Sequence, residues 1–205
     1  MPATFGRALP PHARFPRPYL IQGFFSPRLC RDIRHAMDRG LAEPAEVLDA
    51  GPTLDASARR ASSIDVDSVT LAGVESLLDA SRLVLGTAFQ ITVESREGAA
   101  FLRYRPNGFY RRHRDRASDS EWSGAARRLI SVVVFLNSSS SDPTPGEFSG
   151  GELVLLPELA RRTGASDPMT IVPQQGLLVA FDASIPHEVR PVHRGSRDVV
   201  VDWYY

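Results

Sequence analysis

The chain sets an imidazole and a carboxylate two positions apart, at His113 and Asp115, and returns 72 residues after Asp115 with a second imidazole at His187. Successive side chains of a strand point to opposite faces, so an HxD triplet in extended backbone aims both groups at a common point. A histidine from a distant strand completes three ligands, which asks the chain to bring remote strands side by side. Two neutral imidazoles and one carboxylate on one face of a metal leave the opposite positions open, the arrangement of a non-haem Fe(II) site.

The rest of the pattern agrees with such a β-rich frame. Residues 1–18 hold five prolines and no apolar period, and read as an irregular arm. Ser26-Pro27 is a helix start, followed by Leu29, Ile33, Ala36 and Met37 at helical spacing and closed by Gly40. Residues 43–66 are rich in Pro, Gly, Asp and Ser and read as a loop that can cross the site. A second helix is predicted over 68–85, with Leu71, Val74, Leu77, Leu78 and Leu85 inward and Gly86 at its end. From Phe89 the pattern changes to strands: Phe89–Val93, Ala100–Arg105, the nearly all-apolar Leu129–Leu136, Glu152–Leu156, Met169–Val172, Leu177–Phe181, His187–Val192 and Arg197–Tyr204. Helices followed by eight or so short strands predict an α+β chain, mainly β, built on an antiparallel barrel or sandwich. The polar stretch Ser138–Gly146 reads as a mobile loop.

Composition narrows the function classes. Acidic and basic residues number 24 each, so no net charge marks nucleic acid or an anionic membrane as partner. Every one of the 24 basic residues is arginine, so any buried cation that anchors an anion has to be Arg. The single cysteine, Cys30, excludes an intrachain disulfide. No apolar run reaches the length of a membrane span, and the first residues lack a signal-peptide core. A soluble, cytoplasmic protein is expected, with its oligomeric state open.

Four stretches in order, FLRYRPNGFYRRHRD from Phe101, RRLISVVVFLN from Arg127, GGELVL from Gly150 and LLVAFDASIPHEVRPVHRGSR from Leu177, resemble the successive motifs of prolyl 4-hydroxylase-like Fe(II)/2-oxoglutarate oxygenases. The match is close over about residues 100–205. The resemblance implies a double-stranded β-helix (a jelly roll, cupin-like) with flanking N-terminal helices. The whole of 1–205 is then expected to be one oxygenase domain: an arm over 1–18, helical support over 19–86 and a β-barrel core over 87–205. The resemblance further implies Fe(II) held by His113, Asp115 and His187, with 2-oxoglutarate and O2 as co-substrates. His193, beside the turn at Arg194-Gly195, is the rival for the distal ligand, and a solvated turn residue is the plainer account of it. Metal affinity is expected to fall below about pH 6.5, where free imidazoles protonate.

Arg197, ten residues after His187, matches the family's anchor for the distal carboxylate of 2-oxoglutarate. A guanidinium can grip a carboxylate by two parallel charge-assisted bonds. The alternative is an internal ion pair with an acidic side chain. Tyr104 matches a tyrosine that hydrogen-bonds the co-substrate, with core packing as its alternative. Phe135 stands where some relatives carry a hydroxyl for the same carboxylate. Arg103, Arg105, Arg111, Arg112, Arg114 and Arg116 crowd the iron motif and read as a solvated face, or as steering for an acidic substrate. Gly150-Gly151 reads as a bulge or close backbone approach. Trp122 and the 138–148 loop lie where relatives cover the substrate. The carboxylate at Asp115 speaks against halogenation, for which related enzymes place a small residue there. The expected reaction is hydroxylation of an unactivated C–H in an amino acid, free, carrier-bound or within a small natural product, with release of succinate and CO2. Hydroxylation of prolyl residues in a protein or peptide is the alternative within the same chemistry. A non-catalytic metal- or anion-binding barrel, a sensor or scaffold, is the alternative from another class.

Overall fold

A computed structural model describes residues 17–48, 52–116, 123–156 and 168–205. Most of the irregular arm and Trp122 lie outside these residues. The first strand, β1 (Tyr19–Ile21), leads into helix α1 (Pro27–Arg39), with Ser26 Oγ accepting the Leu29 amide at 3.2 Å. Cys30, Ile33, Ala36 and Met37 form its buried stripe. Leu29 is only partly buried and packs against the core, so Cys30 takes its place in the stripe while Ile33, Ala36 and Met37 are buried as the pattern predicts. Gly40 ends the helix because of space: its φ is an ordinary −79°, but a Cβ there would lie 1.8 Å from the Asp65 carbonyl oxygen.

The second predicted helix is two. Helix α2 (Ser68–Ala80) is followed directly by α3 (Arg82–Phe89). Ser81 marks the break: its hydroxyl bonds the Leu78 carbonyl at 2.7 Å and meets the Tyr204 hydroxyl at 3.0 Å, while Tyr204 itself donates to the Leu78 carbonyl at 2.8 Å. Buried hydroxyls thus take up the carbonyl that a continuous helix would use. Leu71 and Leu77 stay more than a third exposed, contrary to the expected inner face, and Val74, Leu78 and Leu85 alone are buried. Phe89, read as the start of a strand, closes α3. Gln90 in the left-handed region (φ 51°) caps it, and Ile91 and Val93 pack from irregular backbone. Gly86 lies within this helix, where a Cβ would meet the Ile91 carbonyl oxygen at 2.9 Å.

The 43–66 stretch is no plain loop. It holds β2 (Ala42–Pro44), β3 (Val47–Leu48), β4 (Pro52–Thr53), β5 (Arg59–Arg60) and β6 (Ser62–Ile64). The remaining strands are β7 (Ala100–Tyr104), β8 (Phe109–His113), β9 (Ile130–Phe135), β10 (Ser149–Gly150), β11 (Leu153–Leu155), β12 (Met169–Ile171), β13 (Leu178–Asp182), β14 (His187–Val189), β15 (Val192–Arg194) and β16 (Arg197–Tyr204), with a short helix α4 (Ser123–Arg127) before β9. The one strand predicted over 187–192 is therefore split at Arg190-Pro191. Seven strands form one antiparallel sheet in the order β1-β13-β9-β16-β7-β6-β2, and five form a second in the order β12-β11-β14-β8-β5. This pair of sheets is a jelly roll flanked by helices.

Alternation along β16 divides the larger sheet into two environments. Val200 and Tyr204 join the helices and the apolar residues of β9 and β13 in one core cluster, whereas Val199 packs with Tyr104, Phe135 and Phe181 in a second cluster between the sheets. On the helical side Asp198, fully buried, accepts from Arg103 at 2.7 and 3.0 Å and from Arg34 at 2.8 Å. Arg103 also reaches Asp38 at 2.8 Å. Of the arginines near the iron motif, Arg103 is thus a buried ion-pair residue and not part of a solvated face.

Candidate active site

Strand β8 ends at His113, and β14 begins at His187 directly opposite it in antiparallel register. The next pairing slips, so that Val189 faces Tyr110, and the two imidazole rings lie 4.1 Å apart between centroids, inclined at 56°. Asp115, just past β8, completes a group whose ligand atoms lie within 4.8 Å of one another. Its Oδ1 is 3.5 Å from His113 Nε2 and its Oδ2 is 3.5 Å from His187 Nε2. Each histidine uses Nδ1 to hold a backbone carbonyl, His113 that of Arg111 at 2.8 Å and His187 that of Ile185 at 3.0 Å. With the proton on Nδ1, both Nε2 lone pairs are left facing the carboxylate, as metal ligation requires.

Burial alone would raise the Asp115 carboxyl, but the facing histidines and the Ser131 hydroxyl hold it well below the usual carboxylate range. Burial, aided by His113, pushes His187 down to about 4 despite the opposing pull of Asp115. Both groups are therefore in their ligating forms at neutral pH, and His187 stays so well below the pH at which a free imidazole protonates. The fall in metal affinity expected near pH 6.5 is accordingly shifted downward for this ligand. The metal-free protein should lose stability as pH drops from about 6.5 toward 4, because the unfolded chain takes up a proton there that folded His187 refuses. The loss reaches about 3 kcal/mol by pH 4. Thermal melts of the metal-free protein and of its His187→Gln variant across that window check this: only the variant should lack the His187 contribution.

Ser131 is missing from the sequence reading. Its Oγ donates to Asp115 Oδ2 at 2.6 Å and fixes the carboxylate. A lone hydroxyl in the otherwise apolar strand ISVVVF was the available signal. Ser131→Ala should weaken metal affinity about ten- to hundredfold. Competition against a chelator measures this, and unchanged affinity would show that the hydroxyl only fills space. Tyr110 was missed as well. Its ring stacks on His113 at 3.4 Å between centroids, and burial raises its phenol far above the usual range.

The triad opens into a cavity of about 490 Å³ between the sheets. Arg197, paired across the sheet with Tyr104 and only 1% exposed, lines the same cavity. Among the described residues its guanidinium makes no hydrogen bond and no ion pair, and its Nε is buried without a partner. Its Cζ lies 4.9 Å from the Tyr104 ring centroid and 5.1 Å from that of Phe135. Burial lowers its pKa to about 10, so it is still a cation at neutral pH. A buried charge without a counter-charge is costly. The ion-pair alternative for Arg197 finds no acidic partner, and Phe135 brings an apolar ring where a hydroxyl would have helped. Gly151, with φ +67°, leaves the room this side chain needs, since a Cβ there would lie 3.0 Å from Arg197 Cδ. Gly150 and Ser149 carry the bulge between β10 and β15.

Other sequence candidates fall away from the cavity. His193 is exposed and takes no part in the triad. His193→Ala should change stability by no more than about 0.5 kcal/mol and leave iron stoichiometry unaltered, as calorimetry and metal analysis would show. The 138–148 loop contributes no lining residue and is tied down, with Gly146 carbonyl accepting from Asn137 at 2.9 Å and from Arg34 at 3.1 Å. Glu43 to Glu46, Arg59 and Ser63 line the cavity instead.

The profile of the 2OG-Fe(II) oxygenase superfamily matches residues 99–205. The chain belongs to that superfamily. Fe(II), 2-oxoglutarate and O2 are therefore its cofactor and co-substrates, and the residues present fit them: two imidazole nitrogens and a carboxylate converge, and an orphaned guanidinium faces the same cavity. The chain is similar to a PKHD-type hydroxylase of Picosynechococcus sp., at 31% identity over 103 residues, which is 50% of this chain and 39% of that protein. It spans about two fifths of the length of the curated relatives it matches. In fold it is similar to a Pseudomonas putida prolyl-4-hydroxylase, with TM-score 0.69, 24% identity and 91% of each chain covered. A Trichoplax adhaerens prolyl hydroxylase, solved with a peptide fragment of a hypoxia inducible factor oxygen degradation domain, gives 0.66 at 20% identity, with 92% of this chain and 83% of that one covered. Among the described residues no helix is long and apolar enough to cross a membrane.

Proposed function

We propose that this protein is a 2-oxoglutarate-dependent non-haem iron dioxygenase that hydroxylates an unactivated C–H of an amino acid, free, carrier-bound or within a small natural product. The observation that carries the reading is Arg197, a buried cation without a counter-charge in the same cavity as three converging ligand groups. Bound Fe(II), 2-oxoglutarate and O2 supply the oxidising chemistry, in which substrate R–H, O2 and 2-oxoglutarate become R–OH, succinate and CO2. This chain's residues do the rest. His113, Asp115 and His187 present three ligand atoms on one side and leave the cavity side open. Ser131 and the two backbone carbonyls fix their orientation. Arg197 takes the distal carboxylate of 2-oxoglutarate as its counter-charge, and Tyr104 bounds the co-substrate beside it. The apolar walls of Val199, Val201 and Leu153 exclude water.

The similarity to PKHD-type and prolyl hydroxylases supports a second reading, a prolyl residue in a protein or peptide as substrate. A non-catalytic metal- or anion-binding barrel would use the same residues, and it differs in forming no succinate. The test is a screen of free amino acids, carrier-bound amino acids, prolyl peptides and cell extract for succinate release that rises with substrate, followed by mass spectrometry for one added oxygen atom. Stimulation by prolyl peptides alone would replace the first substrate reading by the second. Absence of 2-oxoglutarate turnover under every condition would overturn both.

A further inference from the structure

The cavity contains a second cation that the co-substrate does not use. Arg59, on β5, lies beside Tyr110 in register with β8 and lines the cavity. Its guanidinium carbon sits 4.6 Å from the centroid of the Tyr110 ring, which itself stacks on His113. One terminal nitrogen, Nη1, donates to the Glu46 carbonyl at 2.6 Å and fixes the side chain. The other edge is free: Nε is buried with no acceptor, and Nη2 donates to nothing among the described residues. Nε and Nη2 together are the fork that grips a carboxylate bidentately. Among the described residues no carboxylate forms an ion pair with Arg59, although Glu43 and Glu46 stand at the exposed rim of the same cavity.

Charge counting sorts the groups of this cavity. With the site loaded, the charges of Fe(II), the 2-oxoglutarate dianion, Asp115 and Arg197 sum to zero. Arg128, also on the cavity wall, is matched by Glu97 at 2.7 and 2.6 Å. Arg59 is left over, close enough to Arg197 for their repulsion to lower the Arg197 pKa. Counting Glu43 and Glu46 the loaded cavity has no excess of positive charge, so selection is local: a fork with no carboxylate in ion-pair contact among the described residues is a place for an anion.

We infer that Arg59 binds a carboxylate belonging to the substrate itself, so that the enzyme takes a free amino acid, or a carboxyl-terminal residue, in preference to a residue within a chain. The exposed Glu43 and Glu46 carboxylates at the rim suit the ammonium group of a free amino acid. Because one side of Arg59 is already held by a hydrogen bond and a ring, little side-chain entropy is lost when the carboxylate docks. This inference rests on the reading of the site given above and names the substrate class within it.

The experiment is calorimetric titration of Mn(II)- and 2-oxoglutarate-loaded protein under argon with the protein L-amino acids, each free and as its C-terminal amide. At least one free acid should bind, with its amide about tenfold or more weaker, and Arg59→Gln should bring acid and amide to about the same affinity while leaving 2-oxoglutarate affinity within about twofold. Arg59→Lys, which keeps the charge without the fork, should retain part of the preference, and melting curves of both variants confirm that they fold. Equal binding of acid and amide by the unaltered protein, binding of no free acid, or a preference that survives Arg59→Gln would each overturn the inference. So would a loss of 2-oxoglutarate affinity in Arg59→Gln as large as the loss for the acid, since Arg59 would then serve the co-substrate. Failure of the unaltered protein to bind 2-oxoglutarate at all would instead sink the underlying reading of the site, and this inference with it.

Discussion

Replacing His187 by Ala is expected to abolish stoichiometric Fe(II) binding, with His113→Ala and Asp115→Ala behaving alike. In the proposed site each group supplies one of three ligands, and among the described residues no other such group joins the cluster: His193 is exposed and outside it. Removing one ligand also unbalances the others. Without His187 the Asp115 carboxylate keeps its place in an interior where burial opposes its charged form. Anaerobic equilibrium dialysis against Fe(II) gives the answer directly. Full iron occupancy in His187→Ala would remove the distal-ligand assignment, and iron loss in His193→Ala alone would show that the wrong histidine had been chosen.

Arg197→Gln is expected to raise the apparent constant for 2-oxoglutarate about ten- to a hundredfold, from the roughly 1.5 to 3 kcal/mol lost when one partner of a charged hydrogen bond is cut away. Iron binding should survive, because Arg197 is not part of the cluster of ligand groups. Lysine should rescue only in part, since it keeps the charge but offers no fork. The variant should also gain, relative to the unaltered protein, in its use of uncharged 2-oxo acids. Removing this guanidinium takes away a buried charge that has no counter-charge, so Arg197→Gln should be neutral or stabilising to the metal-free fold. Titration with 2-oxoglutarate alongside melting curves separates the roles. A variant that melts early yet binds 2-oxoglutarate as before would make Arg197 a packing residue and leave the co-substrate without its anchor.

The parts of this molecule that announced themselves in the sequence are those governed by short periods. Alternation in RDVVVDWY placed Arg197, Val199, Val201 and Trp203 on one face, and all four line the cavity. The unbroken apolar run after Leu129 became β9, buried at all six positions. Contacts between remote segments were hidden. Nothing in 68–89 reveals that Tyr204, more than a hundred residues on, would bond the Leu78 carbonyl and split the helix. The 43–66 stretch has no period because its strands are only two or three residues long, so neither they nor Arg59 could be placed beforehand. The arginines were ambiguous for a related reason: side-chain type was legible, partner was not. Arg103 meets Asp198 and Asp38 across the fold, whereas Arg197 meets no acid.

Succinate formation by the unaltered protein and by Asp115→Ala, each given Fe(II), 2-oxoglutarate and air with cell extract as the source of substrate, tests the account at its centre. The account predicts that the unaltered protein converts 2-oxoglutarate to succinate and CO2 in equal amounts, that omission of Fe(II) stops this, and that the folded Asp115→Ala protein forms none. Equal succinate from both proteins, or none from the iron-loaded unaltered protein, would contradict it.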